Sequence, residues 1–238
     1  NYTAPRVRRC HPDVEKKTMS LSNLATPARM GICASLGFML FAALAALPAS
    51  AQMVEGKNYT RLATPVPVET GNKIEVIEFF SFGCPHCADL EPILDGWLAK
   101  KPADVEFRRI PVSFQRAWEN LGKVYYTLHA LGQDELDPKV FVAIHQNGKN
   151  LADARTFLDW AASNGLDRKK VEDMYNSFSI ASDISRSKRQ AQVFNIESVP
   201  TIVVDGKFIT SSDRIGGHAN VPSAIDELVV KARAARKG

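Results

Sequence analysis

Two cysteines with two residues between them stand where an apolar run gives way to a helical one, in Phe79-Phe80-Ser81-Phe82-Gly83-Cys84-Pro85-His86-Cys87. No other feature constrains the chain as tightly. A strand that feeds a helix here sets the first sulfur at the helix N-terminus, whose free N–H groups favour a thiolate over a thiol. A Cys-x-x-Cys so placed is a redox device. A purely structural bridge between positions three apart closes a very short loop and stabilises comparatively little. A structural zinc site wants four ligands, and no second Cys-x-x-Cys exists to supply them. No metal and no cofactor are expected.

The first 51 residues speak to compartment. The chain begins at Asn1, and Met19 or Met30 is the expected translation start. Arg29 precedes an apolar core from Leu36 to Leu47, and Pro48-Ala49-Ser50-Ala51 follows. A basic end, an apolar middle and a small-x-small exit are the parts of a secretory signal peptide. An uncleaved membrane anchor would need about 20 apolar residues, more than this stretch supplies. Cleavage is expected after Ala51, taking Cys10 and Cys33 with it. Six of the 30 basic and two of the 26 acidic residues fall in this segment, so the remaining 187 residues carry 24 of each. No basic stripe is left to suggest nucleic acid. The tail Lys231 to Lys237 reads as a solvated helix end, where cations are favoured. Export also places the cysteine pair in an oxidising compartment.

The rest of the chain suits one domain with an insertion. Gln52 to Asn72 is loop-like, with a short edge strand near Thr60 to Thr64 limited by Pro65 and Pro67. Ile74 to Phe80 has the composition of a strand buried on both faces. A helix from Cys84 to about Lys100 follows, carrying Leu90, Ile93, Leu94, Trp97 and Leu98 on one stripe, with a kink expected at Pro92. Val105 to Val112 completes a βαβ unit with a parallel pair. Near the other end, Thr201 to Val204 and Lys207 to Thr210 flank Asp205-Gly206, a two-residue hairpin signal, before a closing helix from about Val221 to Arg236. Pairing of the two halves makes a thioredoxin-like sheet. Between them the pattern is helical: a stripe of Leu121, Val124, Tyr125, Leu128 and Leu131, an N-cap at Asp137-Pro138, a stop at Asn164-Gly165, a cap at Asp167, and a long helix traced by Ile180, Ile184, Ala191 and Phe194. His129 and His145 read as ordinary helix residues. The expected fold is α/β, thioredoxin-like with an inserted all-helical subdomain: residues 1–51 upstream sequence and leader, 52–114 the first part of the thioredoxin-like domain, 115–197 the insertion, and 198–238 the second part.

Glu55-Gly56-Lys57-Asn58-Tyr59-Thr60, Glu78-Phe79-Phe80-Ser81-Phe82, Cys84-Pro85-His86-Cys87 and Val199-Pro200 together resemble the DsbA family of periplasmic thiol:disulfide oxidants, over essentially the whole exported chain. The resemblance implies that Cys84 exchanges disulfides with client thiols, and that Cys87 is its partner sulfur. Pro85 and His86 between them tune the pair, His86 by stabilising the Cys84 anion. Glu78, inside the buried strand, would move a proton to or from Cys87, since burial raises a carboxyl pKa. Arg109 on the neighbouring strand would pair with it, where the family often has lysine. Val199-Pro200 would form a cis peptide opposite the sulfurs and align extended substrates by main-chain hydrogen bonds. Expected partners are reduced exported proteins as substrates and a quinone-linked, DsbB-like inner-membrane re-oxidase, the protein itself acting as a periplasmic monomer.

Gly83 departs from the pattern, in which an aromatic residue often precedes the first cysteine. Its smallness is expected to open the surface around Cys84 and alter which clients dock. Two other readings remain at this stage: an isomerase or reductase of the same superfamily, and a non-catalytic chaperone or binding module. The first usually carries an N-terminal dimerisation domain, for which only about twenty residues are available. The second leaves Cys-Pro-His-Cys unexplained.

Overall fold

In the computed structural model, the structure is described for residues 52–237. The expected leader, its exit after Ala51, and Cys10 and Cys33 lie outside the described residues. Five strands form one mixed sheet: β1 (Thr60–Arg61), β2 (Ile74–Phe80), β3 (Val105–Pro111), β4 (Thr201–Val204) and β5 (Phe208–Ser211), in the order β1-β5-β4-β2-β3. β2 pairs in parallel with β3 and antiparallel with β4. All seven residues of β2 are buried. Ile74 and Val76 face a cluster with Leu90, Leu94, Ile225 and Leu228, while Ile77 and Phe79 face Ile110, Phe194 and Val203. Burying a side chain such as Phe79 completely is worth about 2–3 kcal/mol, so this strand anchors both layers.

The β4–β5 turn is the one the sequence signals. Asp205 and Gly206 have φ of 56° and 60°, the left-handed pair that matches hairpin twist. Gly206 is required for a second reason, since a Cβ there would stand 1.9 Å from the Val66 carbonyl oxygen. β1 is shorter than expected because the chain bends at Ala63 and Thr64. It stays latched to the hairpin through Leu62 N–H to the Lys207 carbonyl (2.8 Å) and Val66 N–H to the Gly206 carbonyl (2.9 Å).

Helix α1 (Pro85–Leu98) leaves β2 and runs through Pro92 without ending there. Between β3 and β4 come α2 (Arg116–Ala130), α3 (Asp137–Phe141) leading into a π-helical turn at Val142–Gln146, α4 (Ala154–Ser163), α5 (Arg168–Tyr175) and α6 (Phe178–Val193). Asp153, Asp167 and Ser177 cap α4, α5 and α6 with their side-chain oxygens. The apolar stripe of α2 packs with Val140, Phe141, Phe157, Trp160 and Tyr175, and the same cluster includes Phe80, Phe82, Cys84 and Cys87. α7 (Val221–Lys237) closes the chain, tied to α1 by Trp97 Nε1 donating to Asp226 Oδ1 at 2.9 Å.

Two local expectations are corrected. Asp137 does not cap α3: Leu136 holds that position, and Asp137 is the first helical residue with its carboxylate turned inward. Tertiary pairing outweighs the local cap signal. Nor is the basic tail wholly solvated. Arg236 forks onto the buried Asp205 (Nε to Oδ2, 3.1 Å) and donates to the carbonyls of Asn72 (2.7 Å) and Lys73 (2.9 Å). A buried carboxylate needs such a partner.

Candidate redox site

Cys84 is the N-cap of α1, with extended backbone (φ −95°, ψ 118°), and Pro85 is the first helical residue, where its missing N–H costs nothing. The amides of Cys87 and Ala88 point back to the Cys84 carbonyl at 3.1 and 3.2 Å. Both sulfurs are free thiols. Cys87 is wholly buried, and Cys84, the sulfur a client would attack, is only 5 % exposed. The helical layer and the Val199 loop both close over it.

The two sulfurs differ sharply in acidity. Cys84 is pulled down to about 6, first by the Cys87 thiol donating to it, then by the amides of Cys87 and His86 and by the His86 imidazole, against the opposing effect of burial. Cys87 is pushed far up by burial, by the hydrogen bond it donates to Cys84, and by the nearby Glu78 charge. One sulfur is poised as an anion and its neighbour as a thiol. In its thiol form Cys84 also reaches the Val199 carbonyl oxygen at 3.6 Å. The Val199–Pro200 peptide is cis.

Beneath the sulfurs lies a buried ion cluster centred on Arg109. The register of β2 and β3 sets Glu78 opposite Arg109, and Arg109 Nε donates to Glu78 Oε2 at 2.9 Å. The rest of the guanidinium goes to Glu91 on α1 (3.1 and 2.6 Å) and towards Asp137 Oδ2 at 3.7 Å. Asp137 in turn meets His129 Nε2 at 2.9 Å. Burial raises the pKa of Glu78 against the pull of Arg109, and lifts Glu91 to about 7. Arg109, Tyr125, His129 and Asp137 also line a cleft of about 420 Å³. Glu91 and Asp137 were missed in the sequence. Glu91 left one clue, lying four residues beyond Cys87 and next to Leu90 on the stripe that α1 buries.

Two further residues shape the loop before Cys84. His145, in the π-helical turn, hydrogen-bonds through Nε2 to the Phe82 carbonyl at 2.8 Å, so it is more than an ordinary helix residue. Gly83 does not open the surface. Trp118 of α2 packs over it, and a Cβ on Gly83 would stand 2.7 Å from Trp118 Nε1 and 3.0 Å from Leu121 Cδ1. Trp118 stacks in turn beside Phe114, ring centroids 5.8 Å apart. Neither contact is visible locally, because each partner comes from a distant helix.

A sheet of this order with an N-capping cysteine, a buried partner sulfur and a facing cis-proline defines a thiol:disulfide oxidoreductase of the thioredoxin fold. Comparison narrows the class: the pattern described as DSBA-like thioredoxin domain matches residues 75–220, and the chain belongs to the DsbA family. It is 39 % identical over 196 residues to the thiol:disulfide interchange protein DsbA of Bordetella parapertussis, covering 81 % of this chain and 94 % of that one. It is likewise 39 % identical over 183 residues to the protein of that name from Pseudomonas aeruginosa, covering 76 % and 87 %. The crystal structure of Pseudomonas aeruginosa DsbA superposes with a TM-score of 0.75 at 38 % identity, covering 78 % of this chain and 97 % of that one. Oxidoreductase NmDsbA1 from Neisseria meningitidis gives 0.70 at 29 %, covering 79 % and 98 %.

Proposed function

We propose that this oxidoreductase works as an oxidase, giving a Cys84–Cys87 disulfide to exported proteins in the periplasm. A client thiolate attacks Cys84 and the Cys87 sulfur leaves, forming a mixed disulfide; the client's second thiolate then attacks its own bridged sulfur and expels the Cys84 thiolate. Two client thiols become one disulfide, and the protein ends with both cysteines reduced. The depressed pKa of Cys84 carries this reading. An anion stabilised in the reduced form makes that form the more favourable one and drives electrons from client to protein.

Each supporting residue has a role. Pro85 presets the first helical turn, and His86 lies where its ring adds to the stabilisation of the anion. Cys87 leaves as a sulfur that strongly prefers its proton. Glu78, with its raised pKa, is suited to supply that proton, and Arg109 holds Glu78 in place. The cleft beside Arg109 gives the cluster a route to water. Val199 and Pro200 align an extended client chain against Cys84. A leader cleaved after Ala51, re-oxidation by a quinone-linked, DsbB-like inner-membrane partner, and a monomeric state complete the proposal. So does the division into a thioredoxin-like domain (52–114 and 198–238) and a helical insertion (115–197).

The test is stoichiometric oxidation of a reduced two-cysteine client by the oxidised protein, together with the reduction potential of the pair. Wild type should oxidise the client and Cys84→Ala should not. A structural disulfide has a potential below about −300 mV. A value in that range for Cys84–Cys87 would exclude an oxidase.

A further inference from the structure

Among the described residues, one cluster of possible ligands lies beside the redox pair without including either sulfur. His86, Asp89 and His218 each present a ligand atom, and the three atoms lie within 4.8 Å of one another. His86 and Asp89 share a face of α1 at a spacing of three. His218 comes from the short 3-10 turn His218–Asn220 that precedes α7, its ring 6.0 Å from that of His86. Nothing local in sequence marks the cluster, because His218 is 132 positions from His86.

We propose that His86, Asp89 and His218 form a binding site for a divalent transition cation of the zinc type, beside the redox pair and including neither of its sulfurs. Two imidazoles and a carboxylate are a ligand set such ions accept, with an open position left for water. Bonds of about 2.0–2.2 Å place tetrahedral ligand atoms roughly 3.3–3.6 Å apart. Small rotations of the two exposed side chains on α1 close the remaining gap. The third ligand is already braced: the buried Ser212 hydroxyl meets His218 Nδ1 at 2.7 Å, which leaves Nε2 for a ligand. Histidines that bind metals characteristically have the other ring nitrogen held in this way.

The site includes neither sulfur, so it is available while Cys84 and Cys87 are joined.

Calorimetric titration with Zn²⁺ of the oxidised chain, with Cys10 and Cys33 replaced by Ala, tests the site apart from the cysteines. One saturable site per chain is expected. His218→Ala and Asp89→Asn should each weaken it at least about tenfold, and Ser212→Ala about tenfold through loss of the brace. Near-ultraviolet circular dichroism checks that each variant is folded, and Asp89→Asn, at an exposed position, guards against a folding defect in His218→Ala. Absence of saturable binding, or equal binding by wild type and both ligand variants, would overturn the site.

Discussion

His145 Nε2 lies 2.8 Å from the carbonyl oxygen of Phe82, joining the inserted helices to the loop that presents the first cysteine. Phe82 is buried, so this carbonyl has little recourse to water. His145→Ala should destabilise the protein by about 1–3 kcal/mol, the cost of leaving a buried acceptor unmatched. Denaturant unfolding measures it, and stability equal to wild type would show that the contact contributes nothing.

Gly83 and Trp118 are the second such contact. Gly83→Ala forces the indole away from a Cβ that would otherwise stand 2.7 Å from its nitrogen. The expected cost is about 1–3 kcal/mol, as for other overpacked sites. Intrinsic fluorescence should report the displaced ring. If the clash is the cause, adding Trp118→Ala recovers part of the loss in a double-mutant cycle; purely additive effects would argue against it.

Thiolate absorbance of the reduced protein should titrate with a midpoint of about 6 for Cys84, and a midpoint near the free value of about 8.5 would contradict the helix-terminus account. Because the folded value lies below the unfolded one, the stability Cys84 contributes is fully present above about pH 8.5 and is lost as pH falls through about 6. Comparing the unfolding of reduced wild type and Cys84→Ser across that window isolates it. Cys87→Ala should raise the midpoint of Cys84, since the Cys87 thiol is the main stabiliser of the anion.

Glu91 works in the opposite sense. Its folded value, about 7, lies above the unfolded one, so its contribution favours the folded state at low pH and is lost as pH rises through about 7. Glu91→Gln should therefore flatten the stability profile between about pH 4.3 and 7, with Arg109 still held by Glu78. An unchanged slope would mean that Glu91 is ionised throughout. Arg109→Met should cost about 3–5 kcal/mol at neutral pH by stranding two carboxylates, and less in acid.

What could be read ahead of the structure divides along physical lines. β2 and the hairpin were legible because two-sided burial and an Asp-Gly turn leave their marks in adjacent residues. So was the Glu78–Arg109 pair, because parallel strands of equal length leave little freedom in register. Glu91 escaped because a stripe on a helix is recognised by its apolar members, and a buried charge is counted as solvent-facing until its partner is known. Asp137 was misassigned because a local cap signal and a distant guanidinium compete for the same carboxylate. Trp118, His145 and His218 meet Gly83, Phe82 and His86 from helices and turns far along the chain. Nothing next to them in sequence says which way they face.

Cys84 and Cys87 belong to the same apolar cluster as Val124, Leu128 and Phe141. The medium around the sulfurs is therefore furnished largely by the helical segment, although strand and helix of the sheet domain hold them. Transplanting Cys-Pro-His-Cys alone into a bare thioredoxin scaffold would carry over the letters of the motif while leaving one wall of its chamber behind.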